Sequence, residues 1–153
     1  MVVSFVGHSI VHSHDELKNL VKEQMRKSVF KEKSVTCLLG GRGEFDMICA
    51  AACRELKQEI CGIKLVYVSP YLTLAEQARI KEMQKSDLYD ESIYPSIEKT
   101  PPRFAISKRN EWMMKQADFV IAYVNHDYGG AYKAFKVAKH NRKNVINLCD
   151  IIK

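Results

Sequence analysis

The stretch Val35-Thr36-Cys37-Leu38-Leu39-Gly40-Gly41-Arg42-Gly43-Glu44-Phe45-Asp46 decides how this chain folds. A run of β-branched and aliphatic residues ends in a glycine cluster. The glycines lead at once into residues whose apolar positions, Ile48, Ala52 and Leu56, recur at helical spacing. A strand that turns tightly into a helix is half of a βαβ unit, and the alternation repeats on both sides of it. Upstream, Val2 to Val6 reads as a strand ending at Gly7. Ser13, with Glu16 three residues on, reads as a capping box that opens a helix with Leu17, Leu20, Val21, Gln24, Met25 and Ser28 on its inner side.

Downstream, Gly62 stops the second helix and Lys64 to Ser69 forms a strand closed by Pro70. Helices are expected around Leu74 to Lys85, from Ser107 to Gln116, and from the Tyr128-Gly129-Gly130 loop to about Asn141, with strands at Phe119 to Val124 and Val145 to Leu148. This order predicts an α/β fold: a three-layer, doubly wound, mainly parallel five-stranded sheet of the Rossmann type. The reading is one domain over 1–153, with an irregular insertion at about 70–106. Within the insertion Glu91 to Tyr94 offers a short strand and Pro101-Pro102 breaks the chain.

Composition narrows the classes. The chain has 153 residues, 46% hydrophobic and 27% charged, enough for one full core. Seven glycines and four prolines exclude collagen-like and low-complexity sequence. No apolar run approaches the roughly 20 residues of a membrane span. Met1 is followed by neither a basic n-region nor a small-residue cleavage site, so the cytoplasm is the expected compartment. Five cysteines without framework spacing read as reduced thiols. Cys49 and Cys53 share one helix, but no CxxC and no nearby histidine completes a ligand set, so neither a metal nor a cofactor is expected.

Ligands of open α/β sheets bind beyond the carboxyl ends of the strands, which directs attention to the residues that follow each one. These are Gly7, His8 and Ser9; Gly40, Gly41, Arg42, Gly43, Glu44 and Asp46; Ser69 and Tyr71; and Asn125 through Tyr128, Gly129 and Gly130. Two glycine turns that open helices bring backbone amides and the positive end of a helix dipole to one rim, a combination suited to phosphate. Arg42 and Arg109 are candidates for phosphate recognition, against the plainer reading of solvated arginines. Asp46 is a candidate ribose-hydroxyl acceptor or a simple capping group, and His8 a phosphate donor, a general acid or a structural hydrogen-bonding residue. Tyr71 and Tyr128 are placed to stack on a base or to seal the pocket. No Lys-Ser/Thr pair follows Gly43, which argues against a Walker loop, and Asp46 stands where the dinucleotide signature has its third glycine.

The blocks Phe5-Val6-Gly7-His8-Ser9, Leu39-Gly40-Gly41-Arg42-Gly43-Glu44-Phe45-Asp46, Ser107-Lys108-Arg109-Asn110-Glu111-Trp112-Met113 and Ala117-Asp118-Phe119-Val120-Ile121-Ala122-Tyr123-Val124, closed by Gly129-Gly130-Ala131, resemble the SLOG superfamily. That group is named after Smf/DprA and the Lonely Guy proteins, and the likeness is closest to its small stand-alone bacterial and phage members. It implies a Rossmann-like domain that binds a nucleotide or nucleotide-derived ligand, as a sensor or sequestering module. The Lonely Guy branch implies a second reading, hydrolysis of a nucleotide N-glycosidic bond, with Arg109 matching the arginine of its Arg-Lys block. The family glutamate falls on Lys136, so Glu44 and Asp46 are left as candidate carboxylates for that chemistry. The DprA branch implies a third reading, DNA processing. Related proteins often pair through helices, which implies a homodimer.

From Ala131 onward, Lys133, Lys136, Lys139, Arg142, Lys143 and Lys153 face one acidic residue, Asp150, and carry +5 of the total +6. A basic helix attracts nucleic acid, but Phe135 and Ala138 mark its buried side and its lysines read equally as a solvated face, so nucleic acid is the less favoured partner.

Overall fold

The computed structural model describes residues 1–152; Lys153, the last of the basic tail, lies outside the described residues. Six parallel strands form one sheet: β1 (Val2–Gly7), β2 (Val35–Leu39), β3 (Ile63–Val68), β4 (Glu91–Ile93), β5 (Phe119–Tyr123) and β6 (Asn144–Asn147), in the order β4-β3-β2-β1-β5-β6. Between them run α1 (His14–Val29), α2 (Glu44–Glu59), α3 (Leu74–Lys85), α4 (Ala105–Gln116) and α5 (Gly129–His140). The expected five strands become six because the short segment at Glu91–Ile93 does join the sheet, pairing Val66, Tyr67 and Val68 of β3. The sequence offers a short strand at Glu91 to Tyr94, but so few residues carry too little periodicity to count it among the strands of the sheet. Its place is fixed by tertiary contacts, including Asp90, whose carboxylate accepts from the Leu65 N–H at 2.8 Å.

Alternation along the strands divides the core. Val3 and Phe5 of β1 face α1, α2 and α3, together with Leu39, Tyr67 and Ile121; Val6, with Leu38, Val66, Val120 and Ala122, faces α4 and α5. One strand therefore feeds two apolar layers, as the period of two requires. No helix among the described residues is long and apolar enough to cross a membrane.

The capping box does not form. Ser13 sits at φ 57° with no side-chain hydrogen bond to the helix. The missing cap forgoes about 1 kcal/mol. Full burial of Leu17, Val21, Met25 and Val29 contributes roughly 1.5–3 kcal/mol each, so packing decides that α1 exists. Asp118 ties β5 to β1 by accepting from the Val2 N–H at 2.7 Å. Cys37, Cys49 and Cys53 are buried, Cys149 lies in the 3₁₀ turn Leu148–Asp150, and no metal-ligand cluster occurs among the described residues.

Candidate functional site

The chain winds outward from β1 through β2 and β3 to β4, then returns to place β5 on the other side of β1. The loops after β1 and β5 therefore part at this switch point, where an open sheet leaves a crevice. A cleft of about 480 Å³ occupies it. Its wall includes Gly7, His8 and Ser9 after β1, Gly40, Arg42, Gly43 and Asp46 from the β2–α2 turn, and Tyr128, Gly129 and Gly130 at the start of α5. Arg109, Asn110 and Met113 of α4 complete it, with Ile10 and Ile106.

The two glycine turns prove unlike. The β2–α2 turn is packed against its own protein. A side chain at Gly7 would run into the Phe45 ring, one at Gly43 (φ 87°) would lie 2.9 Å from the Ser9 Cα, and one at Gly40 would lie 2.9 Å from the Asp46 carboxylate. Gly41 turns away from the cleft toward Tyr67. Two of its amides are engaged as well: Glu44 N–H donates to the Ser9 carbonyl at 2.9 Å, and Arg42 N–H to Asp46 Oδ2 at 3.3 Å. With Glu44 and Asp46 in its first turn, α2 has already answered its own dipole.

The α5 turn is bare. A side chain at Gly130 would meet nothing within 4 Å, and α5 has no acidic residue in its first turn and no side-chain cap. Among the described residues, no protein acceptor takes the amides of Gly129, Gly130 and Ala131. Three orphan donors and a positive dipole end thus border the cleft.

Arg109 is almost fully buried in the cleft floor and stitches strand ends together, its Nη1 donating to the carbonyls of Gly40 at 2.9 Å and Val68 at 2.6 Å. Its Nε donates to Asn110 Oδ1 at 2.9 Å. Burial pulls its pKa below the ordinary value, and Asp46 opposes that pull. Asp46 itself is partly exposed as a residue, but its carboxyl is walled in, and burial pushes it up to about 6 against the attraction of Arg109 and the Arg42 amide.

Arg42 lies at the cleft wall. Its Nη2 donates to Glu76 Oε2 at 3.4 Å, its guanidinium stands 5.4 Å over the Tyr71 ring, and its buried Nε has no partner among the described residues. Glu76, on α3, is the buried hub behind it. It accepts from the Tyr67 hydroxyl and the Ser69 hydroxyl, each at 2.8 Å, and from Arg79 at 3.3 Å. Arg79 Nη2 in turn donates to the Gly41 carbonyl at 3.0 Å. Burial pushes the Glu76 carboxyl up, but the bonds from Ser69, Tyr67 and Arg79 together hold it below its usual range. Ser69 and Tyr71 therefore stand behind the cleft wall and not on it.

Glu44 faces away from the cleft floor. Its carboxylate accepts from Val11 N–H at 2.7 Å and pairs with His14 at 3.3 Å, fixing the β1–α1 loop. His8 bridges the switch point: its N–H donates to the Tyr123 carbonyl, and its Nε2 accepts from Asn125 N–H at 3.0 Å. Burial and the neighbouring His126 lower its pKa, so the ring is neutral with its proton on Nδ1. Lys136 is exposed on the outer face of α5, in a groove with Lys115, Lys133 and His140, and does not line the cleft.

Sequence reasoning passed over Ile10 and Ile106 on the cleft and Glu76 and Arg79 behind it. The last two sit three residues apart on one helix, a spacing that does not tell a buried hub from a surface pair.

No protein-family model and no curated protein matches the sequence. The X-ray structure of TM1055, a structural-genomics target, superposes with a TM-score of 0.58 at 17% identity, covering 94% of this chain and 71% of that one. The fold is Rossmann-like. DNA processing protein A from Helicobacter pylori, solved for its single-stranded DNA binding mode, superposes with a TM-score of 0.59 at 15% identity. That match covers 95% of this chain, which spans 63% of the other's length. At such identities the likeness is one of fold.

Proposed function

We propose that this chain binds a nucleotide or nucleotide-derived ligand in the switch-point cleft, as a sensing or sequestering module. One observation carries the reading: the uncapped N-terminus of α5, with free amides and open space at Gly130, borders a cleft of ligand size. The phosphate belongs at this end and not at α2, whose first amide donates to Ser9 and whose first turn is acidic. Asp46 and Asn110, on the facing wall, suit sugar hydroxyls. Arg109 acts from below, as the clamp that shapes the floor. A place in the SLOG superfamily agrees with the motif order and with both structural neighbours.

The hydrolase reading finds less support. Lys136 brings no carboxylate to the cleft and Glu44 is engaged elsewhere, which leaves Asp46 alone beside Arg109. The neighbour that binds single-stranded DNA keeps a nucleic-acid reading in play through the lysines of α5, on a surface apart from the cleft.

The test is a thermal-shift panel of mono-, di- and cyclic nucleotides beside single-stranded DNA. A ligand of the native state raises the midpoint by mass action, by roughly 2.7 kcal/mol of stability at a hundredfold excess over Kd. Stabilisation by a nucleotide, lost on crowding the α5 turn, is the expected result. Silence across the panel would remove the proposal.

A further inference from the structure

The loops flanking the β1–β5 crossing also build a feature that phosphate binding does not use. The rings of His8, His126 and Tyr128 stand in a column, with centroids 3.8 and 3.9 Å apart and planes within 13° and 18° of parallel. The column is anchored at its inner end. There His8 accepts from the Asn125 amide and meets Tyr123 edge-on at 6.1 Å. It ends outward at Tyr128, a cleft residue that is 68% exposed although one face of its ring is covered by His126.

The β5–α5 loop does not need Tyr128 to hold its shape. Val124 exchanges two hydrogen bonds with the Asn147 side chain, and Asn125 is held by His8. What the column adds is a flat, exposed aromatic side chain on the lining of the cleft, which the exposed Ile10 and Ile106 also line. A planar π-surface rimmed by aliphatic side chains is suited to a planar heterocycle, because stacking and apolar burial act together on the same ring.

We propose that the open face of Tyr128 is the platform on which the base of the bound nucleotide stacks, as the fourth ring of the column. This rests on the nucleotide reading above and gives it a direction. Tyr128 immediately precedes the free amides of α5, which puts the platform next to the phosphate end of the proposed site. The ligand class is therefore a nucleotide carrying its base, and not a bare sugar phosphate.

Calorimetric titration of adenosine 5′-monophosphate and of ribose 5-phosphate, into the parent chain and into Tyr128→Ala and Tyr128→Phe, tests this. The nucleotide is expected to bind about 10- to 100-fold tighter than the sugar phosphate. Tyr128→Ala should erase that advantage and leave ribose 5-phosphate unchanged, while Tyr128→Phe should keep it. Equal affinities in the parent chain, or an advantage that survives in Tyr128→Ala, would overturn the platform while leaving the phosphate site standing. If neither ligand binds the parent chain, the nucleotide reading itself fails, and the platform with it. Tyr128 is largely exposed, so the alanine variant is expected to melt with the parent, and circular dichroism checks that it does.

Discussion

Replacing Asp46 by asparagine should make the protein more stable at neutral pH. The Asp46 carboxyl is pushed from 3.8 to about 6 by burial, and the Arg109 guanidinium only partly offsets the effect. Between those two values the folded chain holds a proton that the unfolded chain has released. Stability therefore falls as pH rises through the window, and the full cost stands at pH 7. Two pKa units correspond to a ceiling of about 3 kcal/mol. Asp46 is partly exposed, and its charge supports buried Arg109, so the net gain in Asp46→Asn is placed at about 1–2 kcal/mol, or roughly 2–8 °C in melting temperature for a chain of this size. Paired urea melts of parent and variant at pH 4 and pH 7.5 measure it. The variant's advantage should be several-fold larger at pH 7.5. A gap that is the same at both pH values, or that favours the parent at pH 7.5, would refute the reasoning. A carboxylate kept in a cleft where it destabilises the fold is what a functional site looks like in thermodynamic terms.

Other outcomes follow from the same contacts. Gly130→Ala should leave stability unchanged or raise it by up to about 1 kcal/mol, because the position is helical and open, yet weaken nucleotide binding; Gly43→Ala, at φ 87° and against Ser9, should lose about 1–3 kcal/mol in thermal melts. His8 should titrate by NMR below 6.5, so its contribution to stability is present above that pH and declines as the unfolded state takes up a proton below it; a midpoint at or above 6.5 would contradict the buried, neutral ring. Glu76→Ala strands Tyr67, Ser69 and two arginines, and should lower stability by about 2–4 kcal/mol while disordering Arg42, seen as lost dispersion of its side-chain NMR signals.

The alternation of strands and helices was legible because it is written in local periodicity: α2 runs over Glu44–Glu59 and buries Ile48, Ala52 and Leu56, as their spacing indicates. β4 was harder, since three residues on a sheet edge owe their conformation to the neighbouring strand. The residues after β1, β2 and β5 could be named from topology alone, because a parallel sheet collects its carboxyl ends on one rim. What sequence did not carry is direction. Nothing in Gly40-Gly41-Arg42-Gly43-Glu44 tells that the Arg42 and Glu44 amides are answered by Asp46 and Ser9, or in Gly129-Gly130 that no such partner exists. Arg109 illustrates the same limit: one residue type serves as a phosphate hook or as a strand clamp, and only the positions of the Gly40 and Val68 carbonyls show it clamping.

The open amides of α5 are the centre of this account, and backbone amide NMR reaches them directly. On titration with adenosine 5′-monophosphate, the N–H signals of Gly129, Gly130 and Ala131 should move first and furthest, with His8 and Asp46 following. Shifts confined to Lys133, Lys136 and His140 on the outer face of α5, or no shift at Gly130 at saturating nucleotide, would contradict it.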